Sequence, residues 1–368
     1  MSLAATILNS IRVKNANLDK NEHRLSEYGA FDFFVQQSKS NPLLTEEMRQ
    51  KAIDSMGKTL QMPVITYDGT VSVSNVRSCT VSDAENTSAL VGLTFATYAV
   101  GFTVVPAMYS NNEIDMQNDI EKKFKKCARV LGAALDGAAL AILSANKTQV
   151  FGDTLIYTEV SDVITVPWAS REDILSDIEP MMQANDYYGR VHIIGNTGVR
   201  SLLNKLAEKG EFNVVDKTLE WANKEFHFSN RLTNGDNDYA TFYAVEDGNV
   251  DILFRYDREA ARGTKTAIGH EWDIVEMPYI DIPVGLHYYE AVGDQSAIAG
   301  AATADLTCAK KEYYGFSVDV AFVVAYNSAI STKANPIIKA AIAKGATYAQ
   351  PVFVANPDTA PVPTKTIS

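Results

Sequence analysis

The sequence predicts an α+β protein organised around one long helix, and three observations support this class. Residues 114–146 repeat apolar positions with the period of a helix. Residues 64–93 instead alternate polar and apolar residues and are rich in Val, Ser and Thr, which is typical of strands. After the long helix, a strand–helix passage is followed by further strands. A chain of 368 residues with this order is long enough for one large or two medium domains.

The N-terminal part, residues 1–60, predicts short helices on an extended arm. Thr45 is expected to cap one of them, because two glutamates follow it and acidic residues favour the first turn of a helix. The apolar stripe of this helix is narrow and consists of Met48, Ala52, Ile53 and Met56. Met62 and Pro63 are expected to end it.

Residues 64–93 predict a long, two-stranded loop. Asp68-Gly69 is a turn signal, and the stretch contains few large apolar residues with which to build a core. Because an isolated hairpin is only marginally stable in water, we expect this loop to lie on another surface. Residues 94–109 are more apolar and predict a pair of strands that leads directly into the long helix.

The long helix is expected to begin near Asp115 and to end after Leu143. Its roughly 28 residues would extend about 42 Å. The positions expected to face the core are Ile120, Phe124, Ala128, Leu131, Leu135, Ala138 and Ile142. The basic residues of its first half are Lys122, Lys123, Lys125, Lys126 and Arg129, which we expect to be solvated or to contact acids of a neighbouring subunit. Gly132 and Gly137 each cost about 1 kcal/mol relative to alanine, so we expect another backbone to pack against both.

The passage after the long helix predicts an α/β unit. Short strands and a connector are expected at residues 151–166. Ser170 is expected to cap a helix, and the buried face of that helix consists of Ile174, Leu175, Ile178, Met181 and Met182. A strand at 190–195 and a helix from Thr197 to Lys209, closed by Gly210, complete the unit.

The residues beyond Phe226 predict mainly strands. The expected strands are 226–232, 239–245, 250–257, 271–277, 282–289 and 313–326. Glu246-Asp247-Gly248-Asn249 predicts a hairpin turn between two of them. A short helix is expected at residues 337–343, and the proline-containing last segment predicts an extended tail.

Composition and charge exclude several classes of protein. With 46% hydrophobic and 21% charged residues the composition is globular, which excludes disorder of the whole chain. The formal net charge of -12 argues against a reader of nucleic acid, because phosphate contacts require a cationic surface. Cys79, Cys127 and Cys308 are odd in number and far apart, so we interpret them as reduced thiols. The sequence shows neither a signal peptide nor an unbroken apolar run of about 18 residues that would cross a membrane.

No motif predicts a catalytic, cofactor-binding or metal-binding residue. No pair of the five histidines has the spacing of a metal-binding helix, and the zinc, nucleophile-elbow and phosphate-loop motifs are missing from the sequence. Gly195-Asn196-Thr197-Gly198 lies between a strand and a helix, where free amides can hold an anion, but a tight turn explains it better. Asn234, Asp236 and Asp238 have calcium-ligand spacing, yet the loop lacks its Gly and Glu. We interpret it as a surface turn and leave weak cation binding by Asp236 and Asp238 open.

The order and lengths of these elements resemble the Hong Kong 97-type major capsid proteins of tailed bacteriophages. The resemblance rests on the polar loop at 66–93, on the strand-to-helix unit TFATYAVGF…GAALAIL at 94–143, and on the block NVDILFRYD…VGLHYY at 249–289. The family has no invariant short motif, so the resemblance depends on order and length. It implies an N-terminal arm at 1–63, an extended loop at 64–93, a peripheral domain with a spine helix at 94–160, an α/β axial domain at 161–284, a return to the peripheral domain at 285–350 and a tail at 351–368.

The resemblance also implies the function. We expect a structural protein, not an enzyme, whose hexamers and pentamers form an icosahedral virion shell around double-stranded phage DNA, without sequence-specific DNA binding. A portal, a separate scaffolding protein and assembly in the host cytoplasm are expected; a cofactor and a membrane are not. Only about 60 residues precede the loop and they lack heptads, so the scaffold is expected to be a separate protein.

One departure from the family pattern concerns how subunits are joined. Some relatives crosslink subunits through a lysine of the loop, but residues 66–97 contain no lysine, so we expect noncovalent stabilisation. Two alternative functions remain open. One is an encapsulin-type shell around a cargo enzyme, and the other is a soluble α/β enzyme with a site near Gly195-Gly198.

Overall fold

In the computed structural model, the described residues are 28–54, 59–65, 88–109, 113–147, 156–184, 187–208, 220–221, 224–256, 270–278, 280–293, 309–324 and 336–345. The first 27 residues, the middle of the predicted loop at 66–87, Cys79, Cys308, Gly210 and the predicted tail at 351–368 lie outside them. The mixture of helices and strands confirms the α+β class.

The helices and strands are described in chain order. They are α1 (Gly29–Ser40), α2 (Glu46–Asp54), β1 (Thr59–Ile65), β2 (Ser88–Thr94), β3 (Ala96–Val104), α3 (Glu113–Ala145), β4 (Thr158–Val160), β5 (Val163–Val166), α4 (Asp173–Gln183), β6 (Val191–Gly195), α5 (Thr197–Glu208), β7 (Glu220–Trp221), β8 (Lys224–Phe228), β9 (Asp238–Glu246), β10 (Val250–Arg255), β11 (His270–Met277), β12 (Ile282–Gly293), β13 (Ala309–Val324) and β14 (Ile337–Ala343). Short 3₁₀ helices occupy Pro106–Tyr109 and Trp168–Ser170.

The spine helix α3 is confirmed and has 33 residues, two more at each end than predicted. The predicted stripe is buried from Ile120 to Leu135, whereas Ala139 and Leu143 are fully buried in the last turns in place of Ala138 and Ile142. The stripe shifts by one position because an α-helix has 3.6 residues per turn and drifts against a strict seven-residue repeat. The preceding residues form one strand and a 3₁₀ helix rather than the predicted pair of strands.

The two glycines of the spine helix differ in their surroundings. A Cβ at Gly132 would lie 2.8 Å from Cγ2 of Ile280 and 2.9 Å from the ring of Tyr28, so close packing is confirmed there, although against side chains. Among the described residues, a Cβ at Gly137 would meet nothing within 4 Å, so this part of the chain does not supply the predicted backbone contact.

The first sheet packs against the spine helix and contains β3, β10, β11, β12 and β13, all antiparallel. The long strand β13 pairs with β12, β3 and β10 in different parts of its length. Side chains from this sheet, from α1 and from α3 form the largest apolar core. This frame confirms the predicted strands at 271–277, 282–289 and 313–326.

The second sheet has seven strands in the order β4, β5, β14, β9, β6, β8, β7. It forms a separate apolar core with α4 and α5. The predicted helix at 337–343 is wrong, because these residues form β14, parallel to β5 and antiparallel to β9. An Ala- and Ile-rich segment enclosed by two strands takes the strand conformation that packing imposes, whatever its helical propensity.

Two local predictions in this region are corrected. Ser170 lies in a 3₁₀ helix, and α4 begins after Glu172 without a side-chain cap. Its predicted buried face is confirmed for Ile174, Leu175, Ile178 and Met182, and Met181 is partly buried. The turn at 246–249 joins β9 of the second sheet to β10 of the first, so it is not a hairpin turn, although Gly248 has the positive φ of 77° that such a turn requires.

The two sheets divide the chain differently from the ranges expected from the resemblance. β10 and β11 belong to the first sheet although they fall within 161–284, and β14 belongs to the second sheet although it falls within 285–350. The chain therefore crosses between the sheets at Gly248 and crosses back before β14.

Within the described residues, one helix has the length and composition of a membrane span. It covers Met116–Ala145 of the spine helix, and half of its apolar window is buried against the rest of the protein. Core helices of globular proteins pass the same test.

Candidate functional site at the junction of the two sheets

The predicted strand-to-helix turn at Gly195–Gly198 uses backbone amides at the start of α5 for a cap of its own. The side-chain oxygen Oδ1 of Asn196 accepts hydrogen bonds from the backbone N–H groups of Gly198 at 3.0 Å and Val199 at 3.3 Å, which caps α5. A Cβ at Gly198 would lie 2.4 Å from the carbonyl oxygen of Tyr239, so packing explains this glycine. These contacts favour the tight turn over an anion site.

The turn with calcium-like spacing closes on its own polar groups. Oδ2 of Asp238 accepts a hydrogen bond from the backbone of Gly235 at 3.1 Å, and Oδ1 of Asn234 accepts one from Thr241 at 3.0 Å. Among the residues that the structure describes, the cluster of His, Cys, Asp and Glu that could hold a metal lies elsewhere.

The basic run of the spine helix is partly paired within the helix. Lys123 lies 2.6 Å from the carboxylate of Asp119, and Lys125 lies 3.2 Å from that of Glu121. Such i,i+4 pairs are typical of a solvated helix face.

Residues 28–54, which we call the docked segment, do not form an extended arm. Phe31, Phe33 and Phe34 of α1 are fully buried in the core of the same chain. A Cβ at Gly29 would lie 2.3 Å from the carbonyl oxygen of Phe228, so only glycine permits this close approach. The cap predicted for α2 is present, since the N–H of Met48 donates to Oγ1 of Thr45 at 3.4 Å.

Asp136 of the spine helix holds the N-terminus of α1. Its Oδ1 accepts hydrogen bonds from the N–H groups of Ala30 and Phe31 at 3.0 Å each, and its Oδ2 accepts one from the hydroxyl of Ser229 at 2.5 Å. The first N–H groups of a helix have no partner within the helix, so Asp136 caps α1 from a distant part of the chain. Complete burial raises the pKa of Asp136, while these hydrogen bonds and Arg231 oppose that rise.

A second buried carboxylate holds α2. Asp251 of β10 is fully buried, and the guanidinium of Arg49 lies 2.6 Å from both of its oxygens. Asp251 also accepts a hydrogen bond from the N–H of Leu44 at 3.0 Å. The docked segment is therefore fixed to both the spine helix and the first sheet.

The C-terminal half of α1 reaches the crossing between the two sheets. Oε1 of Gln37 accepts a hydrogen bond from the N–H of Gly248 at 2.9 Å, and its amide nitrogen lies 3.1 Å from Nε2 of His192. Asn41 donates to Asp247 of the same turn at 3.4 Å. One helix thus contacts the crossing point and the second sheet together.

Next to this contact lies the histidine cluster, which we define as His192, Glu225 and His227. β6 and β8 are parallel neighbours, with His192 opposite Glu225 and with His227 two residues further along β8. Alternation along a strand places Glu225 and His227 on one face. Nδ1 of His192 lies 3.2 Å from Nε2 of His227, and the carboxylate of Glu225 lies 3.7 Å and 3.9 Å from these two nitrogens.

Burial governs the charge of both imidazoles. It lowers the pKa of His227 to about 3, and the neighbouring His192 and Arg190 act in the same direction. Burial also lowers the pKa of His192, against the effect of Glu225 and Asp247. Both rings are therefore neutral at neutral pH, which is the form of imidazole that binds metal ions.

Sequence reasoning missed this cluster because its two histidines lie 35 residues apart. The signal that would have found them is the pairing of 191–195 with 224–228 as neighbouring parallel strands. Asp136 gave a clearer signal, since it is a single acid in the otherwise apolar half of a helix.

Comparisons with known proteins give matches only among solved structures. No protein-family model and no curated protein match the chain. A chain of Mycobacterium phage Che8 is similar over 81% of this chain and 89% of its own, with 11% identity and a TM-score of 0.45. A chain from the capsid of Cyanophage P-SCSP1u is similar over 79% and 85%, with 10% identity and a TM-score of 0.42. One from the capsid of a native GTA particle is similar over 82% and 92%, with 12% identity and a TM-score of 0.40.

The cyanophage and GTA neighbours are capsid structures, and capsid proteins are the class that the order of elements in the sequence resembles. Because the identities and TM-scores are low, the function proposed for this chain rests on its own geometry.

Proposed function

We propose that this chain is a structural major capsid protein of the Hong Kong 97 type, which self-assembles into the icosahedral shell of a tailed bacteriophage. The β1–β2 hairpin carries the proposal. Among the strands that the structure describes, β1 and β2 pair only with each other, from Thr59 opposite Thr94 to Ile65 opposite Ser88, and form a two-stranded sheet. An isolated hairpin is marginally stable in water, so a neighbouring subunit is the surface that would stabilise it.

The side chains described in the hairpin support this interpretation. Thr59, Gln61, Gly92 and Thr94 are exposed, and Leu93 at the base is buried against Phe95 and β10. Pro63 lies within β1, where the prediction placed the end of a helix, and proline is tolerated there because β1 is an edge strand.

A second exposed edge lies beside the spine helix. Among the described strands β3 pairs with β13 alone, and Ala96, Thr97, Ala99 and Gly101 along it are exposed. An unpaired strand edge is a template for pairing with another chain. The hairpin and this edge give one subunit two surfaces that another copy would complete.

Net charge agrees with a wall that encloses DNA. A chain with a formal net charge of -12 is repelled by phosphate, so it would surround double-stranded DNA without binding it tightly. The partners of such a chain would be copies of itself in hexamers and pentamers, a portal and a separate scaffolding protein, with assembly in the host cytoplasm.

The two sheets suggest a division into domains. The spine helix and the first sheet would form the peripheral domain, and the second sheet with α4 and α5 would form the axial domain. Compared with the ranges implied by the resemblance, this division assigns β10 and β11 to the peripheral domain and β14 to the axial domain.

The alternative of a soluble enzyme has lost its supporting observation, since Asn196 occupies the amides of the predicted site. The encapsulin-type alternative shares the shell and differs in its contents. Particles that hold a cargo protein and no DNA after infection would favour it.

The test uses negative-stain electron microscopy of the purified chain, alone and coexpressed with a scaffolding protein. We expect closed shells or hexameric rings. In the matched variant, residues 66–87 are replaced by Asn-Gly, which joins the paired ends Ile65 and Ser88. This variant should have the same thermal unfolding midpoint as the unaltered chain but form no shells. A chain that stays monomeric in both preparations, or a variant that forms normal shells, would overturn the proposal.

A further inference from the structure

We propose that His192, Glu225 and His227 form a binding site for one divalent transition-metal ion, with Zn²⁺ the best-suited ion. The site is independent of shell formation and lies where α1 meets the second sheet. Two imidazoles and one carboxylate are a ligand set that zinc takes in proteins, with water in the remaining position.

The distances agree with ligands around one ion. The three ligand atoms all lie within 4.8 Å of one another, and the two ring nitrogens are 3.2 Å apart. A tetrahedral zinc ion with bonds of about 2.0–2.1 Å requires ligand atoms roughly 3.4 Å apart. The distances from Glu225 to the two ring nitrogens, 3.7 Å and 3.9 Å, are made by its two different carboxylate oxygens. Its side chain must therefore turn to bring one oxygen to about 3.4 Å from both nitrogens.

The surroundings hold the ligands in place. Hydrogen bonding between β6 and β8 fixes the three backbone positions. The ring of Phe33 packs against His192 and His227, with centroids 5.0 Å and 5.4 Å away, and so covers the cluster from α1. Oδ1 of Asp247 lies 3.5 Å from Nε2 of His192, the nitrogen on the far side from the ion, where an outer carboxylate orients a metal-binding histidine.

Binding changes one proton position. Without an ion, a single proton joins Nδ1 of His192 to Nε2 of His227. The ion takes its place, and His192 then carries its proton on Nε2, facing Asp247. Once Nε2 of His192 carries a proton, it can no longer accept a hydrogen bond from the amide nitrogen of Gln37, which lies 3.1 Å away. Binding of the ion therefore also removes one contact between α1 and the second sheet.

The chain provides its own control in a second histidine pair. His270 and His287 lie on β11 and β12 with ring nitrogens 3.3 Å apart. Their rings stack with Trp272 and Tyr289, and among the described residues this pair has no third metal ligand in reach. A variant here removes an equally close histidine without touching the proposed site.

The experiment titrates the full chain with Co²⁺ and Zn²⁺ after removal of metal with a chelator. Cobalt absorption in the visible region and elemental analysis after dialysis measure binding. We expect about one ion per chain and a rise of the thermal midpoint with zinc. Binding and the thermal shift should disappear in His227→Gln. The affinity for the ion should fall at least tenfold in Glu225→Gln, while His287→Gln should behave like the unaltered chain. Asp247→Asn should weaken binding by about 10- to 100-fold.

Three outcomes would overturn the site: no binding by the folded, unaltered chain, an unchanged affinity for the ion in Glu225→Gln, or equal loss of binding in His287→Gln. Glu225 is partly exposed, and glutamine has the same shape, so this variant keeps the test valid if His227→Gln fails to fold. Shell formation is scored separately, so failure of the metal site leaves the capsid proposal standing.

Discussion

The docked segment and the β1–β2 hairpin are neighbours in the chain. The sequence predicted an extended arm for the first and a loop that lies on another surface for the second. The docked segment instead buries three phenylalanines and two helix ends on its own chain. The two strands of the hairpin pair with each other and with no other strand in the described part of the chain. An element of this size folds onto its own subunit when it brings large apolar side chains and when the core offers carboxylates for its unpaired N–H groups.

The substitution expected to have the largest effect on stability is Asp136→Ala, in the docked segment's contact with the spine helix. The change leaves two N–H groups of α1 and the hydroxyl of Ser229 without the acceptor that Asp136 provides, and it removes the carboxylate 3.9 Å from Arg231. We expect a loss of about 3–5 kcal/mol in the free energy of unfolding, measured with urea. Glu121→Ala, which removes a surface i,i+4 pair of the same helix, should cost less than about 0.5 kcal/mol. Equal losses would refute the capping role.

Arg49→Ala tests the other anchor of the docked segment. It leaves the fully buried Asp251 without its cation, but Asp251 keeps hydrogen bonds from Leu44 and Ile252. The expected loss is therefore smaller, about 2 kcal/mol by the same urea measurement. Lys51→Ala on the exposed face of α2 is the control and should change little. A loss no larger than that of the control would contradict the anchor.

Asp32→Asn sharpens the comparison through pH. Burial raises the pKa of Asp32 from 3.8 to about 6, with Glu225 and Asp136 adding to the rise and Lys39 opposing it. Ionisation is harder in the folded state, so the stability that Asp32 contributes is complete below about pH 4 and is lost as the pH rises to about 6. Allowing for solvent screening, this loss of stability is about 1–2 kcal/mol, and the Asp32→Asn variant should not show it. Parallel stability curves from pH 4 to 7 would contradict it.

Alanine substitutions at the two glycines of the spine helix should change stability in opposite directions. Gly132→Ala places a methyl group against Tyr28 of the docked segment and against Ile280, and should destabilise the chain by about 1 kcal/mol. Gly137→Ala meets open space and should stabilise it by up to about 1 kcal/mol through helix propensity. Thermal unfolding of both variants checks the signs, and two changes of the same sign would show that packing does not distinguish the sites.

The smallest effect on stability is expected in the hairpin. Gln61→Lys adds a charge at an exposed position of β1 and should change the free energy of unfolding by less than about 0.5 kcal/mol. It should nevertheless reduce the yield of shells in electron microscopy. Gln117→Lys, at an exposed position of the spine helix, should leave both unchanged. A hairpin variant that assembled as well as this control would contradict the proposed contact.

The sequence predicted those elements whose pattern is long or local. The spine helix, the strands of the first sheet and α5 follow from periodicity over many residues and from turn chemistry. β14 was mistaken for a helix because seven residues rich in Ala and Ile fit either period, and only the position between β5 and β9 decides. The turn at Gly248 was identified, but no local signal shows that the strands on either side enter different sheets.

The candidate site was beyond prediction for a related reason. The histidine cluster depends on which strands are neighbours, and its members lie on two strands separated by a helix. The docked segment was missed because its partners, Asp136 and Asp251, are distant in sequence and bind backbone N–H groups, which carry no residue-specific signature.

The place of β14 in the middle of the second sheet has a consequence during translation. Residue 340 pairs with residue 164 on one side and with residue 242 on the other, so one edge of β5 and one edge of β9 wait for β14 until residue 343 has left the ribosome. A nascent chain therefore exposes one edge of β5 and one edge of β9 from the time each strand is made until β14 is added. Translation products that end before β14 would lack a complete second sheet.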